Sequence, residues 1–262
     1  MMMSTPVRVS RERMLREFKP DIVYLDPARR SGTGKKVFRL EDCEPDVLTL
    51  LPILRNCTGR VMLKLSPMAD ISLLRRQLGT QITQIHIISS GNEVKEILVL
   101  MDFTSTEECE PLIVASDTVN RFEFLPSEEE NALAAYPESI NIGDYLFEPD
   151  PAVIKSGAFK LPCSRFSVRK AAPSTHLYFS REPLPFGKSH RIGEVLDFNK
   201  HSFQYLKEKY GRAEITARNL PVTSDELRKK TGIPQGGNAH IFAFTARLDG
   251  QDVRKIVISG DI

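Results

Sequence analysis

Hydrophobic and polar positions alternate in two rhythms along the first hundred residues. Asp21 to Asp26 (DIVYLD) is a short apolar run stopped by Pro27. Beyond the polar stretch RRSGTGKK, Val47, Leu48, Leu50, Leu51 and Leu54 recur at helical spacing, with Pro45 in first-turn position and Gly59 as the stop. RVMLKL reads as a strand closed by Ser66-Pro67. Asp70 is placed as the N-cap of a helix carrying Ile71, Leu73, Leu74 and Leu78, which Gly79 ends. QITQIHIIS predicts a strand, Gly91-Asn92 a turn, and VKEILVLMDF a strand returning antiparallel. This β-α-β-α-β-β order predicts a mostly parallel, doubly wound sheet.

The rhythm then breaks. Residues 104–150 are acidic and turn-rich, with strand-like LIVA and RFEFL between the turns. DPAVIKSGAF suggests a short helix and THLYFS a strand. A last module starts near Ser189: RIGEVLDF as strand, NKHSFQYLKEKYG as helix capped by Asn199, and AEITARN as strand. Thr223 with Glu226 forms a capping box opening a short helix, and HIFAFTARL pairs with RKIVIS around Asp249-Gly250. The expected division is 1–104, 105–188 and 189–262.

Composition narrows the class. The chain has 262 residues, 41% hydrophobic and 27% charged, which fits a soluble globular protein and excludes general disorder, collagen and coiled coil. No run approaches the ~20 apolar residues of a membrane helix, and the first residues carry no apolar core of a secretory signal. The expected setting is therefore cytoplasmic, without membrane contact. Cys43, Cys57, Cys109 and Cys163 lie far apart with no CxxC pair, which suits reduced structural thiols better than disulfides or a metal site. The net charge of +2 hides an asymmetry: residues 102–150 hold one basic group against thirteen acids, and residues 151–262 hold nineteen against ten. A basic carboxyl-terminal part suits a polyanion; an unevenly charged solvated surface is the plainer alternative.

Ligand chemistry in parallel α/β sheets collects at the carboxyl ends of strands. Three such ends here carry polar groups: Asp26-Pro27-Ala28-Arg29-Arg30, Lys64-Leu65-Ser66-Pro67, and the turn Asn92-Glu93. Pro27 fixes the chain direction and holds Asp26 at the sheet edge. Asp26 can accept a hydrogen bond from a substrate amine, a cofactor amine or an arginine, and Arg29 and Arg30 can hold phosphate through their planar forks. Alternatively, Asp26 only braces the loop through a neighbouring Arg. In the last module Arg212, Arg218, Arg228, Lys229 and Lys230 form either a phosphate-contacting face or ordinary helix-surface charge. Gly236-Gly237-Asn238 reads as a strand-opening turn or a backbone approach to phosphate. The five histidines show no HxH or HExxH spacing, so His86 in IHII and His176 in THLY read as packed residues.

These segments together resemble a known family. IVYLDPARRSGTGKKVFRLEDCEPD, VMLKLSPMADI and GNEVKEILVL are similar to the second half of a class I S-adenosylmethionine-dependent methyltransferase. The likeness is to a bacterial family with a ferredoxin-like insert and a carboxyl-terminal THUMP-like domain. YLFEPDPAVIKSGAF resembles the insert and ITARNLPVTSDELRKKTGIPQGGNAHIFAFTA the THUMP-like end. The resemblance implies the carboxyl-terminal half of a Rossmann-like methyltransferase sheet, then a small ferredoxin-like α+β segment, then a THUMP-like α/β module. It implies S-adenosyl-L-methionine as cofactor and RNA as partner. Asp26, Pro27, Arg29 and Arg30 fall at the family's catalytic post-strand motif; Lys64, Ser66, Asn92, Glu93, Arg212, Arg218, Lys229 and Lys230 become substrate-binding candidates. The sequence departs from the family in three ways. No glycine-rich loop precedes Asp21, SGTGKK follows the wrong strand to replace it, and DPARR lacks the aromatic on which a flipped base stacks. The chain alone is therefore expected to be inactive, and a non-enzymatic RNA-binding or interaction protein with a degenerate methyltransferase fold is the alternative. Strand Asp21 to Asp26 is expected to leave an outer edge exposed to self-association.

Overall fold

A computed structural model of the protein describes residues 18–29, 40–105 and 109–260. They form two compact units, one of residues up to Glu130 with Pro151–Gly157, the other of Asn131–Asp150 with Ala158 onward.

In the first unit β1 (Ile22–Leu25) leads to a two-residue ribbon of β2 (Ala28–Arg29) and β3 (Cys43–Glu44). Helix α1 (Val47–Cys57) follows, then β4 (Arg60–Leu65), α2 (Ile71–Leu78), β5 (Ile82–Ser90) and β6 (Glu93–Asp102). Next come β7 (Leu112–Ser116), β8 (Arg121–Phe124) and α3 (Pro126–Asn131), with α4 (Pro151–Ser156) returning later in the chain. The sheet order is β1-β4-β6-β5-β7-β8. Only β1/β4 and β5/β7 run parallel; β4/β6, β5/β6 and β7/β8 are antiparallel. The mostly parallel sheet expected from the element order is thus a mixed one. The tight Gly91-Asn92 turn, with φ of 61° and 66°, folds β6 back beside β5, and β6 then lies between β5 and β4. The strand-like segments LIVA and RFEFL, β7 and β8, continue this first sheet beyond residue 104.

The helix boundaries follow local chemistry. Asp46, one residue after the proline taken as the start, accepts from the Leu48 and Thr49 amides at 3.0 and 3.3 Å and caps α1. Asp70 accepts from Leu73 N–H at 2.8 Å, and Gly79, at φ 70°, caps the other end of α2. Period-two burial decides the sheet face: Val61, Leu63 and Leu65 on β4 align with Met101, Val99 and Ile97 on β6, all buried. Lys64 and Glu96 point to the opposite, half-buried face.

The second unit is built on β9 (Tyr145–Pro149), α5 (Leu161–Arg165), β10 (Arg169–Ala172), β11 (Thr175–Ser180) and β12 (Gly187–Asp197). It continues with α6 (Lys200–Lys209), β13 (Glu214–Arg218), α7 (Ser224–Thr231), β14 (His240–Leu248) and β15 (Gln251–Ser259). These strands make one sheet in the order β10-β11-β9-β12-β15-β14-β13. Strand β12 joins its halves: Gly187 to Arg191 pair with β9, and Glu194 to Asp197 pair with β15, across a register shift after Ile192. The sheet curls enough for Thr175 Oγ1 on β11 to donate to Thr245 O on the non-neighbouring strand β14 at 2.7 Å. Leu146, Ile192, Phe242, Phe244 and Val257 fill one face; Ile215, Ile241 and Ile256 meet Leu206 of α6 and Leu227 of α7 on the other. The Asn199 cap, the Thr223/Glu226 capping box and the Asp249-Gly250 hairpin all form as their sequences predict.

Candidate functional site

Parallel pairing of β1 with β4 sets Leu25 opposite Leu63, so the next residues, Asp26 and Lys64, emerge side by side. Lys64 Nζ donates to Asp26 Oδ2 at 2.9 Å and stands 3.9 Å from Glu96 Oε2 on β6. The hydrogen bond to Asp26, with the carboxylate's charge, raises the Lys64 ammonium above its ordinary range. Asp26 Oδ1 has no partner among the described residues, so it can accept from an incoming donor. Asp26 is braced, as one reading of the sequence allowed, but by a lysine one strand away rather than by a neighbouring arginine. Pro27 is buried. The Arg29 backbone pairs with Cys43 in the ribbon, and Arg30 lies outside the described residues.

The other sequence candidates of this unit share the same end of the sheet without touching Asp26. Ser66 Oγ accepts from Met68 N–H at 3.2 Å and Ser66 O from Ala69 N–H at 3.0 Å, closing the turn into α2. Asn92 and Glu93 sit at the hairpin tip; Glu93 begins β6 four residues before Ile97, which pairs with Leu65. That places it about 13 Å further out along the strand. Glu93 is held by Lys95, whose hydrogen bond and charge lower its carboxyl below the usual range. Glu96, which no sequence motif singles out, completes the charged row because β4 and β6 are adjacent only in three dimensions. Two cavities of this unit, about 640 and 590 Å³, lie at the opposite end, at the starts of β5 and β7 and of β1 and β4.

The basic residues of the second unit separate into two places. Arg218, at the end of β13, donates to Glu148 Oε1 at 3.3 Å, and Glu148 Oε2 is 3.5 Å from His190 Nε2. Burial would raise the Glu148 carboxyl, but its hydrogen bond with His190 and the Arg218 charge hold it below its ordinary range. Arg212 lies at the other end of β13, where the Ala213 amide donates to Pro234 O at 3.0 Å and brings the end of α7 alongside. Lys229 and Lys230 occupy that last helical turn and are exposed. Arg212, Lys229 and Lys230 therefore gather, and Arg218 does not join them. Gly237 packs on the Arg212 backbone: a Cβ there would come within 2.8 Å of Arg212 O, so this turn accounts for its own glycine. The histidines are packed as expected for His86 and His176, which lie against Gln84 (2.8 Å) and the Phe159 ring (4.0 Å between centroids). All four cysteines are free thiols, with Cys109 exposed and the others buried.

Comparison with known proteins bears on the second unit first. Residues 145–186 match the family description of a ferredoxin-like domain, and residues 187–261 that of a THUMP domain-like region. The carboxyl-terminal part thus carries ferredoxin-like and THUMP-like domains. Their junction at residue 187 coincides with the first residue of β12, the strand shared by both halves of the sheet. The chain as a whole is similar to a crystal structure described as a "putative methyltransferase" from Porphyromonas gingivalis W83, with TM-score 0.84 and 30% identity. The match covers 97% of this chain and 63% of that one, so the chain spans less than two thirds of that protein's length. No curated protein matches. Among the described residues no helix is long and apolar enough to cross a membrane.

Proposed function

We propose that the chain forms the acceptor-side and RNA-gripping portion of a cytoplasmic S-adenosylmethionine-dependent methyltransferase acting on RNA. The observation that carries this reading is the likeness over 97% of the chain to the structure described as a methyltransferase. The THUMP-like match over residues 187–261 supports RNA as the substrate class. Methyl transfer is an in-line displacement, so a protein contributes mainly by positioning. Bound S-adenosylmethionine would supply the electrophilic methyl group. Asp26, steadied by Lys64, orients the acceptor through its unpartnered Oδ1. Arg29 and Arg30, three and four residues after Asp26 in sequence, are the groups proposed to hold an acceptor phosphate. Ser66, Asn92 and Glu93 border this end of the sheet.

The described residues do not fit a complete donor site. Among the described residues β1 is the edge strand, with Ile22 and Tyr24 50% and 55% exposed, and no glycine-rich loop lies at the carboxyl end of β4, β5 or β7. The chain by itself is proposed to transfer no methyl group. This also favours the alternative, an RNA-binding protein with a degenerate fold. Calorimetric titration of S-adenosylmethionine into a longer protein that includes this chain separates the two: one-to-one heat supports a donor-binding enzyme, and no heat at saturating ligand favours the binding protein. The exposed edge of Asp21 to Asp26 is the proposed self-association surface.

A further inference from the structure

Beside the carboxyl end of α7 lies a cavity of about 350 Å³ lined by Asp225, Arg228, Lys229, Gly232, Ile233 and Pro234. Arg228 donates from Nη1 to Asp225 Oδ1 at 3.2 Å, yet its Nε–H is buried with no acceptor. Native structures leave few such donors orphaned, and each calls for an explanation. The cavity also stands where cations from three separate elements meet. Gly232, the left-handed cap of α7 at φ 68°, lies under Lys207 from α6: a Cβ at Gly232 would be 3.7 Å from Lys207 Cε and 3.9 Å from its Nζ. Arg212 enters through the backbone bond to Pro234, and its Nε would be 3.9 Å from a Cβ on Gly236.

None of Lys207, Arg212, Lys229 or Lys230 has an ion-pair partner among the described residues. The nearby acids are otherwise engaged. Asp225 holds Arg228, Glu226 closes the capping box at the far end of α7 and feels the Lys229 and Lys230 charges without pairing with them, Glu208 binds Gln204, and Glu214 binds Gln235. The bland explanation is attraction to helix carboxyl ends. Each end is worth about half a negative charge, so α6 and α7 together offset about one of the four cations. The remaining positive charge has no carboxylate in ion-pair contact among the described residues.

We propose that this cavity is a phosphate subsite for single-stranded RNA, resting on the RNA reading above. A backbone phosphodiester sits against the Arg228 guanidinium and accepts from the Lys229 and Lys207 ammonium groups, and its ribose lies against Ile233 and Pro234. Lys207 thereby becomes a binding residue that neither its sequence context nor the family match singles out. Arg218, held by Glu148 at the opposite end of β13, is not part of the subsite.

The test uses the full chain with a twelve-residue oligouridylate, read by fluorescence anisotropy at several salt concentrations. Lys207→Ala is compared with Arg181→Ala, an exposed cation of the same unit outside the cluster. The expected result is a loss of about three- to tenfold in affinity for Lys207→Ala, with the salt slope reduced by about 0.7, and no such change for Arg181→Ala. Unchanged melting curves exclude misfolding. If the oligonucleotide binds and the two variants behave alike, the subsite is overturned and RNA binding stands. If the parent chain binds no RNA at low salt, the RNA reading falls and the subsite with it. Inorganic phosphate and uridine monophosphate, followed at the Gly232 and Ile233 amides by NMR, distinguish the source of the anion. Shifts with phosphate alone and none with the nucleotide would identify a free-phosphate site and overturn the RNA subsite.

Discussion

Asp26 and Lys64 show what a single pair can and cannot do. Both side chains are substantially solvated, at 52% and 35% exposure, so their ion pair adds little to folding. Its effect is to fix one carboxylate oxygen and leave the other presented at the end of the sheet. Asp26→Asn should therefore leave the melting temperature within about 2 °C of the parent. It should also let the Lys64 ammonium titrate closer to its ordinary value, as NMR of the Lys64 side chain would report. In an active methyltransferase that includes this chain, the same substitution should cut turnover. A large loss of stability instead would assign Asp26 to bracing alone. On the second unit, Lys229→Ala with Lys230→Ala should lower the slope of log affinity against log salt for RNA by between about one and two. RNA binding without salt dependence would contradict a phosphate-contacting role.

At the scale of elements, β12 carries the main structural consequence. Because one eleven-residue strand pairs with β9 through its first half and with β15 through its second, the ferredoxin-like and THUMP-like regions share one sheet. Four strands then bring Glu148, His190, His240 and the pair Thr216 and Arg218 together at the end of the inner face. His240 stacks on Phe242 with centroids 3.8 Å apart, and its Nε2 is 2.8 Å from Thr216 Oγ1. Burial first, and the neighbouring His190 and Lys188 second, push His240 down to about 4 from 6.5, against the opposing Glu148 and Glu214 carboxylates. The unfolded chain thus takes up this proton near pH 6.5 and the folded chain only near pH 4. Stability from this group is full above about pH 6.5 and is lost as the pH falls to about 4. Glu148, lowered from 4.5, adds a loss below that value. His240→Gln, which keeps a polar partner for Thr216, should flatten the dependence of melting temperature on pH between 4 and 6.5. An equally steep variant would place the acid sensitivity elsewhere.

For the whole molecule, the open edge of β1 is the feature with consequences. Ile22 and Tyr24 are half exposed on a strand paired on one side only, among the described residues. Such an edge invites another strand unless something covers it. The basic segment Val7 to Phe18, one candidate to cover it, lies outside the described residues except for Phe18, which is 80% exposed. Light scattering after size exclusion should show association that grows with concentration, and Tyr24→Lys should suppress it by placing a charge on the edge. A monomer at every concentration, with the Ile22 to Leu25 amides strongly protected from exchange, would instead reveal a cover within the chain.

Much of the local structure was legible in the sequence because its causes are local. Asp70, Asn199 and the Thr223/Glu226 box cap helices through atoms three residues away. Gly91-Asn92 and Asp249-Gly250 turn hairpins because their backbones tolerate positive φ. Alternation of buried and open positions named the strands. None of these signals specifies which strand lies beside which, and that choice belongs to tertiary packing. It inserted β6 between β4 and β5, which made the sheet mixed and brought Glu96 to Lys64. Likewise β12 merged two expected modules into one sheet, and β13 sent Arg212 and Arg218 to opposite ends. The order of residues determined the elements and their caps; contacts distant in sequence decided which charges meet, because long-range pairing sets register and adjacency.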